Sequence, residues 1–203
     1  MKRTLRQAFG VSLIALACWG VPASAETSPL PTYDRVRILQ EARDIPDAEL
    51  IDHNGHPFKL SQLNGRVALV FLGFTNCPDV CPLAMAKMMQ LQASRGAGLE
   101  DIAYVMISVD GERDTPEAMK KFLTQYSPQF IGLTGDPQSI KPIAKEFSVA
   151  FFKGAGTGHN YDVSHSPQVF VMDQAGRLRA EFYNASIEAM TGVTQALIEE
   201  GGP

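Results

Sequence analysis

The chain has 203 residues, with 18 Lys+Arg against 22 Asp+Glu for a formal charge of −4, and 45% of its side chains are apolar. That length matches one compact domain plus an export segment, with ample apolar material for a core. The acidic balance argues against a nucleic-acid partner, which would need a basic surface.

Residues 1–25 have the three parts of a signal peptide: Lys2, Arg3 and Arg6 as a basic start, Phe9 to Trp19 as the apolar stretch, and Ala23-Ser24-Ala25 as the cleavage site. An uncleaved anchor is the first alternative, but Gly20 and Pro22 break the apolar run short of the ~20 residues a spanning helix needs. Lipidation at Cys18 is the second, although Ala15 stands where a larger aliphatic residue is usual. Cleavage removes three basic residues and no acidic ones, leaving 15 Lys+Arg against 22 Asp+Glu, a formal charge of −7, and no transmembrane helix in the mature chain. The mature chain then keeps only Cys77 and Cys81. In an oxidising compartment such a pair is a disulfide, a metal site or a redox couple.

Residues 26–47, with Pro29, Pro31 and Pro46 and little periodicity, read as an extended tether or a strand leading into the domain, which occupies 48–203 without repeats or low-complexity tracts. Arg66 to Phe74 is a near-continuous apolar run and reads as a buried central strand. A helix follows, with Ala84, Met85, Met88, Met89 and Gln92 on one side and Gly96 and Gly98 at its exit. Ile102 to Val109 is a second buried strand, and Thr115-Pro116 caps a helix whose apolar face is Met119, Phe122, Leu123 and Tyr126. Phe130 to Leu133 reads as a short strand, and Ile140 to Phe147 as a short helix with Pro142 in its first turn. Gly154 to Asn160 is a glycine-rich loop. Gln168 to Asp173 and Arg177 to Tyr183 are two strands around a tight Asp-Gln-Ala-Gly turn, and Ser186 to Glu199 is the last helix. This order predicts an α/β fold of the thioredoxin-like kind, a mixed sheet with helices on both faces.

The chemistry is concentrated in Gly73-Phe74-Thr75-Asn76-Cys77-Pro78-Asp79-Val80-Cys81-Pro82. Pro82 cannot sit deep in a helix, so the helix starts near Asp79, with Cys81 in its first turn and Cys77 in the loop before it. A four-residue step brings the sulfurs to one side, about one turn apart, at the positive end of the helix dipole, which favours thiolate. Two thiolates suit Cu(I), or Zn(II) with further ligands. A plain disulfide here would close a tiny loop and constrain the unfolded chain little.

An imidazole is the expected third ligand. His53 and His56 fall in Asp52-His53-Asn54-Gly55-His56-Pro57, which reads as an exposed hairpin turn, and His159 lies in the glycine-rich loop. His165, in Tyr161-Asp162-Val163-Ser164-His165-Ser166-Pro167, immediately precedes a strand whose entry faces the cysteine loop in thioredoxin-like folds. Met85, Met88 and Met89 could be soft ligands, but their helical spacing reads as core. Asp110, Glu112, Arg113 and Asp114 read as a solvated or internally paired loop near the site, with a docking surface as the alternative.

The Gly73 to Pro82 stretch, Ile107 to Pro116 with its Glu112-Arg113-Asp114-Thr115-Pro116 run, Leu133-Thr134-Gly135 and Asp162 to Ser166 together resemble the Sco/SenC family over residues 48 to 185. The resemblance implies a periplasmic or membrane-facing metallochaperone that binds copper, as Cu(I) or Cu(II), through Cys77, Cys81 and His165. It implies delivery to the binuclear CuA centre of cytochrome c oxidase, or to another cuproprotein, and a location in the periplasm, either soluble or tethered to the membrane. Ser164 departs from the family, which has an acidic residue before the histidine; Asp162 could replace it. Pro167 stands where thiol oxidoreductases keep a proline facing their cysteines. The alternative function is therefore a thiol-disulfide oxidoreductase that reduces a target cuproprotein, with Cys77 attacking. Only under that alternative is the protein an enzyme. A peroxidase would need an activating arginine motif beside Cys77 that is not recognisable here.

Overall fold

A computed structural model describes residues 30–94, 101–157, 160–165 and 167–201, with the backbone alone described at 155–157 and 160–165. Strands β1 (Val36–Asp44), β2 (Glu49–Asp52) and β3 (Pro57–Lys59) lead through a short 3-10 turn at Leu60–Leu63 to β4 (Ala68–Gly73) and α1 (Val80–Ala93). Then come β5 (Ala103–Ser108), α2 (Pro116–Leu123), β6 (Ile131–Thr134) and α3 (Pro137–Glu146). The chain continues as β7 (Phe151–Thr157), β8 (Asn160–His165), β9 (Val169–Met172), β10 (Arg177–Phe182) and α4 (Ile187–Glu200).

Eight strands form one mixed sheet in the order β1-β10-β9-β4-β5-β6-β2-β3. The pairs β4–β5 and β5–β6 are parallel, and the flanking pairs are antiparallel. Every residue of β4 and β5 is buried, as strands covered on both faces must be. Each of their fully buried large apolar side chains contributes about 1.5–3 kcal/mol of transfer free energy. This is the thioredoxin-like mixed sheet with helices on both faces that the element order predicts.

The helix starts follow their capping residues. Thr115 Oγ1 accepts from Ala118 N at 3.3 Å, and Ser186 Oγ accepts from Ala189 N at 3.1 Å, with Pro116 at the start of α2. The third helix starts three residues earlier than its apolar pattern suggests, because Asp136 caps it through Gln138 N at 2.7 Å and Pro137 opens it. Pro142 therefore lies inside the helix rather than in its first turn. The stretch from 26 to 47 contains β1, which pairs with β10 at the sheet edge.

Of the stretch read as a glycine-rich loop, residues 154–157 lie in β7 and Asn160 begins β8, and these two strands form a sheet of their own. The signal-peptide, anchor and lipidation readings of 1–25 lie outside the described residues. Among the described residues no helix is long and apolar enough to cross a membrane.

Candidate metal centre

The helix carrying the cysteines begins where Pro82 requires. Asp79 is the N-cap residue of α1, Cys81 lies in the first turn and Cys77 in the loop before it. The Asp79 side chain makes no capping hydrogen bond. Instead Cys77 Sγ accepts the backbone N–H of Cys81 at 3.4 Å, so a sulfur takes the place of the usual capping oxygen. Both cysteines are thiols, Cys77 at 8% exposure and Cys81 at 0%.

This burial overturns part of the dipole argument. Removal from water pushes the Cys81 thiol far above its ordinary value, and its hydrogen bond to Cys77 and the charges of Cys77 and Asp114 push the same way. A helix dipole contributes about 0.3–1 kcal/mol, whereas full burial shifts a group by up to about 3–5 pKa units, so desolvation wins at Cys81. A thiolate forms there when a cation replaces the proton. The sulfur has its room because residue 73 lacks a side chain: a Cβ on Gly73 would fall 2.9 Å from Cys81 Sγ.

The loop is pinned from beneath by Asp114, in the charged segment read as solvated or internally paired. Asp114 is fully buried, and its carboxylate accepts from Thr75 N at 2.9 Å, Thr75 Oγ1 at 2.6 Å and Ser108 Oγ at 2.7 Å. Its backbone carbonyl accepts from Thr134 Oγ1 at 2.7 Å. One side chain thus joins the cysteine loop to the end of β5, and its backbone reaches β6. Burial raises the Asp114 carboxyl above the usual range despite those donors. Beside it Arg113 pairs with Asp110, both side chains buried, and its guanidinium lies 5.7 Å from the Phe74 ring centroid. Internal pairing is therefore the correct reading of this segment.

His165 ends β8, and its backbone registers opposite Phe151. Phe151 packs against the core, and Lys153, two residues on, pairs with Glu112 at 2.6 Å. The hairpin is thereby held to the loop that carries Asp110 and Asp114. The side chains of His165 and Asp162, with His159 and Ser166, lie outside the described residues. Among the described residues no three His, Cys, Asp or Glu side chains group as metal ligands. The structure brings Cys77 and Cys81 together and places His165 by its strand alone.

The other candidates have structural roles. His56 is exposed in the β2–β3 turn, 3.6 Å from Asp52. His53 is half-buried, and its Nδ1 accepts from Gly132 N at 3.0 Å, which ties that turn to β6. Met85 and Met88 are fully buried in the core, while Met89 is 37% exposed.

Known proteins place this arrangement. Residues 39–199 match the SCO1/SenC family. An SCO2-like protein of Rickettsia conorii is 36% identical over 174 residues, covering 84% of this chain and 85% of its own. Bradyrhizobium japonicum ScoI, solved with copper bound, superposes with a TM-score of 0.65 at 29% identity, covering 77% of this chain and 97% of its own. Yeast Sco1, also solved with copper bound, gives a TM-score of 0.66 at 27% identity over 73% of this chain and 84% of its own. With its cysteine loop at the head of α1 and a match running through nearly the whole described sheet, the chain belongs to the SCO1/SenC family.

Proposed function

We propose that this protein is a copper metallochaperone that holds one copper ion between Cys77 and Cys81 with His165 as third ligand, and hands it on by ligand exchange. The observation that carries the reading is the pair of thiols one turn apart at the head of α1, with Cys77 Sγ facing a helix N–H and Cys81 Sγ seated over bare Gly73. Two soft donors in an apolar setting suit Cu(I), and an added imidazole suits Cu(II). The relatives solved with copper bound support the same ion. On this reading the chain acts in the periplasm, soluble or membrane-tethered, and delivers copper to the CuA-bearing subunit of cytochrome c oxidase or to another cuproprotein, as the family resemblance implies.

Competition with a chelator tests the reading. Reduced protein is expected to bind one Cu(I), and Cys77→Ser or Cys81→Ser to abolish tight binding, because one thiolate and an imidazole make a poor soft site. His165→Ala is expected to remove the thiolate-to-Cu(II) charge-transfer band while Cu(I) affinity falls less. Equal Cu(I) affinity in the wild type and both cysteine variants would sink the copper reading.

One feature favours the oxidoreductase alternative: Cys77 is the more accessible sulfur and Cys81 is fully buried. In that chemistry the Cys77 thiolate attacks a partner disulfide, forming a mixed disulfide. Cys81 then displaces the partner's second thiol, so this protein is oxidised as the partner is reduced. On the redox reading thiol exchange survives His165→Ala, whereas on the copper reading copper transfer depends on His165; normal transfer with failed exchange in that variant would contradict this ranking.

A further inference from the structure

A groove of about 230 Å³ lies between α1, β9 and α4. Val80, directly before Cys81, and Pro167, two residues after His165, stand at its head. Leu83, Ala84, Val169 and Met190 make its walls, and Leu83 is 63% exposed. At the far end Lys87 donates to Ala185 O at 2.6 Å, while burial and the neighbouring charge of Arg35 both disfavour its protonated form. Arg35 itself pairs with Asp34, which is almost fully exposed, at 3.7 Å. The near end carries exposed Asp79.

We propose that this groove is the docking surface for the copper-receiving protein. It fits an extended segment that carries its soft metal ligands at one end, an apolar side chain over Leu83, and a carboxylate beyond it. The proposal rests on the copper reading for the identity of the visitor, and on three features of the groove for the fit. An ion held by two thiolates leaves by ligand exchange, so the acceptor must bring a donor atom to within bonding distance of the copper. Val80 directly precedes Cys81 and Pro167 follows His165 by two residues, so a segment that reaches the copper passes beside the head of this groove. Its walls are apolar, so the covering segment gains by burying an apolar side chain. Lys87 lines the far end, where burial and the nearby charge of Arg35 disfavour its protonated form, and a carboxylate brought there stabilises that charge.

The test uses reduced, metal-free protein and a short synthetic peptide with the order Ser, apolar residue, Glu, with Ser in place of the soft ligand so that neither copper nor thiol exchange contributes. Amide shifts read by NMR are expected to move along residues 80–87 and at Val169. Leu83→Glu is expected to weaken binding about tenfold or more, since it removes an apolar contact and adds a charge to an apolar wall. Changing the peptide's Glu to Lys should weaken binding, and Lys87→Glu should reverse that preference. Leu83 is exposed, so its variant keeps the fold, which an unchanged urea midpoint verifies. No binding, shifts confined to another face, or equal affinity for Leu83→Glu would overturn the docking surface. Peptide binding by a protein that holds no Cu(I) would keep the groove and sink the copper reading. Cu(I) binding without peptide binding would do the reverse.

Discussion

Gly73→Ala tests the seat of the buried sulfur directly. The added Cβ would lie 2.9 Å from Cys81 Sγ and 3.1 Å from Phe71 Cδ1, inside the 3.4 Å at which ordinary contacts begin, and closer still to another carbon of the Phe71 ring. Phe71 and Cys81 are both fully buried, so neither can swing into solvent. Overpacking of this kind costs about 1–3 kcal/mol. Replacing a strand glycine, here the last residue of β4, returns about 0.5–1 kcal/mol through reduced chain entropy. The expected net loss is therefore up to about 2.5 kcal/mol, read as a lower urea midpoint at unchanged slope in the reduced, metal-free protein. Because the sulfur must retreat by about half an ångström to regain an ordinary contact, Cu(I) affinity should fall as well. Stability and Cu(I) affinity both equal to the wild type would show that Gly73 does not shape the site.

Asp114→Ala should cost about 2–4 kcal/mol, since it strips three donors of their buried acceptor while the two hydroxyls among them can turn to other partners. The same variant should lower Cu(I) affinity through the Thr75 end of the cysteine loop, and a loss under about 1 kcal/mol in urea unfolding would refute the clamp. The raised Cys81 thiol makes a pH prediction with a definite sign. The unfolded thiol loses its proton near its ordinary value of 9.0 while the folded one keeps it. The stabilisation is therefore fully present below that pH and is lost as the pH rises, by about 1.4 kcal/mol per unit. Urea unfolding of the reduced protein at pH 8 and pH 10 should show this fall in wild type and a smaller one in Cys81→Ser; equal slopes would refute it.

Positions governed by local backbone chemistry were legible in the sequence. Pro82 dictated where α1 starts, Thr115-Pro116 and Ser186 marked two more helices, and the unbroken apolar run into Gly73 marked β4. What escaped depended on partners distant along the chain. Asp114 sits in a charged run that reads as solvated or internally paired, and only the folded chain shows that its partner is Thr75, 39 residues away. His53 looks like an ordinary turn residue until Gly132, 79 residues on, supplies a donor to its ring. The Phe-Phe-Lys-Gly-Ala-Gly-Thr of β7 resembles a loop because glycine is rare in strands, yet a hairpin satisfies its backbone regardless of side chains. On α1 Leu91 is fully buried and Gln92 half-buried, whereas Met89, which reads as core by its spacing, is 37% exposed.

The order of strands bears on when the molecule can fold at all. The central strand β4 is flanked by β9, and the edge strand β1 pairs with β10, where Arg37 and Glu181 meet across 144 residues of sequence. None of these ladders can zip until nearly the last helix has been made, and pairings so distant along the chain form slowly. Until residues 169–182 have been made, β4 lacks its partner along one edge and the sheet cannot close over its apolar strands.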